Sequence, residues 1–172
     1  MPTIMSHALA AFAGGKLFGI NGRWILLAGM LSAMLPDADV LGFNMGISYG
    51  SMWGHRGFTH SIPFAFIWAA LLTLLFTKSS GIHWSKIFLF LFLATASHGL
   101  LDAMTTGGKG VAFFAPFSAE RYFLPFKVIK VSPLGIRNFF SEWGLRVLKS
   151  EAFWIGIPSI IAIIGVTIWK RK

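Results

Sequence analysis

The heptapeptide His55-Arg56-Gly57-Phe58-Thr59-His60-Ser61 sets two imidazoles and a guanidinium at the mouth of one of the most apolar runs of the chain. Ionisable groups near or inside lipid are costly, so residues of this kind in such a place mark candidate sites. Three other short groups share the character: Ser6-His7, Pro36-Asp37-Ala38-Asp39 and His98-Gly99-Leu100-Leu101-Asp102. Together the four groups hold every aspartate in the protein and four of its five histidines. His98 and Asp102 are spaced i, i+4, which puts both on one face of a helix. That is the spacing with which one helix offers two ligands to a metal. His55 and His60 lie five apart with a glycine between them, which suits a turn running into a helix. His60 then falls in the first helical turn, with His55 folded back over it. Asp37 and Asp39 flank one alanine just after a proline-stopped helix, so at least one can point inward.

Four imidazoles and three carboxylates suffice for one to three divalent ions. The donor types suit zinc, and also manganese or iron. Such a centre acidifies water and holds the attacking and leaving oxygens of a phosphoryl ester. Arg56 can make a bidentate contact to a phosphate oxygen. An aspartate left over from coordination can orient or deprotonate the attacking water.

The elements that must position these residues belong to a membrane protein. Of 172 residues, 55% are hydrophobic, only 12% are charged and 18 are phenylalanine, against about 25% charged in soluble domains. The length suits a single domain spanning residues 1–172. The absence of cysteine excludes disulfides and thiolate metal sites. The net charge of +9 reads as topology-setting Lys and Arg and as contact with anionic phospholipid headgroups, not as a nucleic-acid surface.

Taken in order, Met1 to Gly15 reads as a short helix and Trp24 to Leu35 as another, stopped by Pro36, the two forming a tilted or partly re-entrant hairpin. Val40 to Gly54, rich in Gly, Asn and Ser, reads as a loop. Phe58 to Thr77 and Ile87 to Thr106 are apolar helices, and Ala152 to Trp169 is the last span. Gly107 to Glu151 is the longest stretch without a span and is expected to lie on the membrane surface. The expected fold class is therefore all-α, an integral membrane helical bundle with four or five membrane-embedded helices and a surface-lying loop region. If each helix crosses, His7, Asp37, Asp39, His55, His60, His98 and Asp102 fall toward one side. The other side receives Lys16, Arg23, Lys78, Lys86 and the Lys170-Arg171-Lys172 tail, with Trp24, Trp84 and Trp169 as interface anchors.

The pattern Ser6-His7, Leu35-Pro36-Asp37-Ala38-Asp39, His55 to Ser61 and His98 to Asp102 resembles the YdjM-type family, described as membrane-bound metal-dependent hydrolases. The resemblance runs from residue 1 to about residue 117, taking in Thr105, Thr106, Gly107 and Pro116-Phe117. That family is distantly similar to the all-helical zinc phospholipases C and single-strand nucleases. It implies a metallohydrolase of a bacterial or archaeal cell membrane. On this reading the metal ligands are His7, Asp39, His55, His60, His98 and Asp102, with Asp37 as base or bridging group and Arg56 as phosphate clamp. The expected reaction is hydrolysis of a phosphoester in a lipid or lipid-linked headgroup by activated water. Residues 118–172 carry no assignable pattern, and a ligand from Glu120 or Glu142 stays open.

Two rival readings use the same residues. A divalent-cation or proton transporter would employ the intramembrane His and Asp groups as a pathway, although the candidates gather at one end of the helices. A non-catalytic scaffold would use them as buried hydrogen-bonded pairs. His83 reads as an interface residue. The positive-inside tendency puts the Lys16 end in the cytoplasm and aims the site outward.

Overall fold

Glycine, proline and serine punctuate the chain into helices whose bounds follow from local chemistry. In the computed structural model, which describes residues 1–133 and 136–170, helix α1 covers Ile4–Leu17 and α2 covers Arg23–Met34. Arg171 and Lys172 of the basic tail lie outside the described residues. Helix α3 covers Ile62–Ser80. Its N-cap Ser61 accepts a hydrogen bond from the Phe64 N–H at 3.1 Å, and Pro63 sits in the first turn, where no intrahelical N–H is needed. Helix α4 covers Trp84–Ala103, and α5 runs Glu142–Trp169 through a π-helical turn at Ala152–Gly156. Among the described residues there is no β-strand, only isolated bridges pairing Thr105 with Ile129 and Val111 with Tyr122.

The segments Arg23–Met45, Trp84–Ala103 and Glu142–Trp169 are long and apolar enough to cross a membrane, and Ile62–Lys78 is a shorter apolar helix. With α1 they make the all-helical membrane bundle that the composition called for. Helices in lipid associate by close packing, not by escape from water, so small residues line their contacts. Here the Phe90 ring of α4 fills the space left by Gly15 of α1 and Gly29 of α2. Ala11, Ala33, Ala69 and Ala94 extend the same close-packed core.

Several boundaries differ from the sequence reading: α3 starts at Ile62, after a separate 3₁₀ turn Phe58–His60 that keeps His60 out of its first turn, and α4 covers Trp84–Ala103 in place of Ile87 to Thr106. Pro36 does not end the helical path. The chain tightens into a 3₁₀ segment, Leu35–Met45, with proline at its start, and stops at Gly46, whose φ is +77°. The last helix begins at Glu142, ten residues before the expected Ala152. Ser141 caps it, accepting from the Gly144 N–H at 3.3 Å. Those first turns are amphipathic, burying Gly144, Val147 and Glu151, so a search for continuous apolarity passes over them.

Alternating helix directions bring the start of α1, the end of α2, the start of α3 and the end of α4 to one end of the bundle. At the opposite end Lys86 Nζ reaches the Gly19 carbonyl at 3.4 Å. A Cβ at Gly19 would lie 3.8 Å from Lys170 Nζ. Lys86 and Lys170 therefore come together at the end away from the His and Asp groups.

Buried Glu151 joins α5 to α1. It accepts from the Thr3 N–H at 2.7 Å and from the Thr3 and Ser6 hydroxyls at 2.6 Å each. An anion at a helix N-terminus is favourable, and this one fixes the turn that carries His7. Replacing Glu151 by Ala removes the acceptor of three hydrogen bonds and is expected to cost about 3 kcal/mol. The cost should appear as a lower Tm in detergent, partly restored in Glu151→Gln. An unchanged Tm would show that α1 is not held from α5.

Candidate metal centre

All eight residues expected to do chemistry meet at the bundle end just described. Asp37 and Asp39 come from the 3₁₀ segment after α2, His55 and Arg56 from the following turn, and His60 from the single 3₁₀ turn Phe58–His60 before α3. His98 and Asp102 project from one face of α4, and His7 from α1. Gly99 lets the Phe58–His60 turn press on α4, since a Cβ there would stand 2.7 Å from the His60 carbonyl oxygen. Arg56 is the single non-glycine residue with positive φ (+63°) among the described residues, a conformation that costs energy and must be held by its surroundings.

One donor atom from each of Asp37, His60, His98 and Asp102 lies within 4.8 Å of the other three, all buried. His60 Nε2 and His98 Nε2 are 3.0 Å apart. Asp37 Oδ1 is 3.4 Å from His98 Nε2 and 3.8 Å from His60 Nε2, and Asp102 Oδ2 is 3.6 Å from His60 Nε2. His7 stacks on the His98 ring at 3.8 Å between centroids, with its Nε2 3.6 Å from Asp102 Oδ1.

The opposite ring nitrogens decide what these faces present. His98 Nδ1 is 2.7 Å from the Ala33 carbonyl oxygen. A carbonyl only accepts, so Nδ1 carries a hydrogen and Nε2 is the atom turned toward the cluster. His60 Nδ1 lies 3.2 Å from Asp39 Oδ2, with the same result. The two Nε2 atoms, 3.0 Å apart, can share a proton or turn their lone pairs toward a cation beside them. The carboxylates point the same way: both oxygens of Asp37, Oδ1 of Asp102 and both ring nitrogens of His7 are buried without a hydrogen bond, and Asp102 Oδ2 meets only the Arg56 guanidinium. Buried polar atoms left in that state are rare and costly. The donor set therefore fits a divalent ion.

Asp39 is differently placed. Its Oδ1 accepts from His55 Nδ1–H at 2.7 Å, and Oδ2 accepts from the Arg56 backbone N–H at 3.1 Å and the Thr59 hydroxyl at 3.0 Å. Asp39, His55 and His60 make a second group whose donor atoms lie within 4.8 Å of one another. The Arg56 side chain is fully buried. Its Nε faces Asp102 Oδ2 at 2.9 Å, Nη1 donates to the Gly107 carbonyl at 2.9 Å, and Nη2 donates to Thr105 Oγ1 at 3.0 Å.

Glu120 lies outside the cluster: it is exposed and accepts from the Tyr122 hydroxyl at 2.5 Å, which holds that phenol above its ordinary pKa. His83 sits at the far end of α4, where it caps the helix through Ser85. Sequence reasoning gave no role to Thr59, Thr105 or Glu151. The first two stand inside recognised motifs, but their part is visible only once Asp39 and Arg56 are in place. Glu151 acts across 148 residues of chain, a distance no local pattern reports.

A helical membrane bundle with a buried His/Asp cluster at one end defines the class of this protein. The chain belongs to the YdjM inner membrane protein family, whose pattern it matches over residues 1–172. It is 40% identical over 176 residues to inner membrane protein YbcI of Escherichia coli (strain K12), with both chains covered in full. It is 28% identical over 117 residues to the uncharacterized protein YvsG of Bacillus subtilis (strain 168), covering 64% of this chain and 69% of that protein. No solved structure matches significantly.

A cation that joins these donors in the folded protein alone must stabilise it. At a hundredfold excess over Kd the gain is about 2.7 kcal/mol. Thermal unfolding in detergent should show Tm rising with zinc or manganese and falling again with EDTA in the parent, with no response in Asp37→Asn/Asp102→Asn. A parent indifferent to both metals and to chelator would contradict a metal centre.

Proposed function

We propose that this protein is a membrane-embedded metal-dependent hydrolase acting on a phosphoester at headgroup depth. The observation that carries the reading is the convergence of Asp37, His60, His98 and Asp102, all buried, with both oxygens of Asp37 and one of Asp102 left without a hydrogen bond. These four residues would hold the ion, with His7 beside Asp102 as a further donor. Bound there, a divalent cation supplies Lewis acidity toward a phosphoryl oxygen and acidifies water. Zinc, manganese and iron all accept such ligands.

The chain's own residues do the rest. Asp39 fixes the rings of His55 and His60 through Nδ1, the kind of outer carboxylate that orients a ligating imidazole. The Ala33 carbonyl does the same for His98. This favours Asp37 as a ligand and Asp39 as the orienting carboxylate, where the sequence reading had Asp39 as ligand and Asp37 as base or bridging group. Arg56 balances Asp102 and keeps the carboxylate turned toward His60.

The location supports hydrolysis over transport. Deeper in the bundle the buried hydroxyls serve their own helices: Thr73 donates to the Ala69 carbonyl at 2.7 Å and Thr95 to Leu91 at 2.8 Å. Among the described residues no ionisable chain continues from the cluster along the helices, as a relay would need.

The test is turnover of bis(p-nitrophenyl) phosphate and of a fluorescent phospholipid panel by the purified protein. Activity should vanish on chelation and return with metal. Asp37→Asn should lose it essentially completely. Asp39→Asn should retain a measurable remainder, with metal affinity reduced about 10–100-fold. Full activity after metal stripping, or none on any phosphoester with metal bound, would refute the reading.

A further inference from the structure

Toward the end of the bundle opposite the metal centre, a groove of about 640 Å³ lies between α3 and α4. Phe66, Ala70 and Leu74 line it from α3, and Trp84, Ser85 and Phe88 from α4. Long side chains close its inner part and short ones leave the rest open. Phe66 and Phe88 meet edge to face, 5.2 Å between ring centres, on the side toward the bundle middle. Nearer the helix ends the walls carry Ala70, Thr73 and Ser85.

The polar atoms in these walls are already engaged. The Thr73 hydroxyl donates to the Ala69 carbonyl at 2.7 Å, and the Ser85 hydroxyl lies 2.8 Å from His83 Nδ1. The groove therefore presents an apolar surface, with a volume inside the range of roughly 300–1,000 Å³ typical of ligand sites.

Its mouth distinguishes among apolar occupants. Lys78 follows Leu74 by four residues, so it lies on the same face of α3, one turn nearer the helix end. It is exposed and has no carboxylate partner among the described residues. Trp84, on the α4 side, is 56% exposed, an amphipathic ring of the kind found at headgroup depth. Lys86 is turned away, to the Gly19 carbonyl. No acid competes for Lys78. Of the six acidic residues, three aspartates sit in the cluster, Glu142 and Glu151 lie in the first turns of α5, and Glu120 is held by Tyr122 in the covering segment. An apolar slot running inward from headgroup depth, with an unpaired cation at its mouth, matches the shape and charge of an anionic phospholipid.

We propose that the α3–α4 groove holds one acyl chain of an anionic phospholipid, whose phosphate lies against the Lys78 ammonium. The site faces the leaflet away from the metal centre. This lipid is therefore a bound companion of the fold, separate from any substrate of the metal centre.

Native mass spectrometry of the purified full chain in neutral detergent tests it, with dioleoyl phosphatidylglycerol and dioleoyl phosphatidylcholine as probes. The parent should bind one phosphatidylglycerol about fivefold tighter than phosphatidylcholine, the worth of one lysine near an anionic headgroup. Lys78→Gln should remove that preference. Lys16→Gln, at the same end but on α1 with its ammonium over the Phe12 ring, should keep it. Ala70→Phe fills the slot and should weaken both lipids about tenfold or more; the two lysine variants carry the test if that one does not fold. Equal binding of the two lipids by the parent overturns the proposal, as does a preference that survives Lys78→Gln or falls equally in Lys16→Gln. Affinity undisturbed by Ala70→Phe would mean headgroup contact alone and would reject the groove. A dimer that Ala70→Phe dissolves would overturn it in favour of a second copy of this chain.

Discussion

Two imidazole nitrogens, His60 Nε2 and His98 Nε2, meet 3.0 Å apart inside this protein, each turned there by a hydrogen-bond acceptor on its other nitrogen. Neither ring can turn away without giving up its Nδ1 contact, with Asp39 and Thr59 for His60 or with the Ala33 carbonyl for His98. The carboxylates of Asp37 and Asp102 surround this pair, and Arg56, 2.9 Å from Asp102 Oδ2, offsets only part of their charge. A buried cluster of that kind is stable only if something positive completes it. Much of the architecture can be read as what keeps these groups from separating. Gly99 lets the Phe58–His60 turn sit against α4, and Glu151 holds the first turn of α1 so that His7 stacks on His98.

The packing below the centre answers a different constraint. In lipid, helices gain little from hiding apolar surface, so precise contact must hold them together. Phe90 seated against Gly15 and Gly29 ties α1, α2 and α4 into one unit just where those helices carry the site toward a single end. The long segment after α4 then returns over that end. Thr106 N–H bonds to the Ile129 carbonyl, and Ala112 N–H bonds to the Arg56 carbonyl, so the covering segment and the site share backbone hydrogen bonds.

The histidines and aspartates were legible in the sequence because an apolar chain makes each ionisable residue conspicuous. The i, i+4 pair on α4 announced its own geometry. What stayed hidden depended on tertiary pairing. Asp37 and Asp39 are two residues apart with identical chemistry, and only the donors around Asp39 separate their parts. The 3₁₀ continuation past Pro36 was masked by the rule that proline ends a helix, which holds for α-helical interiors and not for the first turn of a new segment. The start of α5 was masked because its amphipathic turns have few apolar neighbours in sequence.

The central claim is that a metal ion completes the His60–His98 pair. Elemental analysis of the purified protein beside a His60→Ala/His98→Ala variant tests it most directly, with circular dichroism to show that both are helical. The account predicts about one or more zinc, manganese or iron per parent chain and a loss of that metal in the folded variant. A parent that carries no metal and takes up none on addition would contradict it, leaving a buried polar cluster whose role is structural.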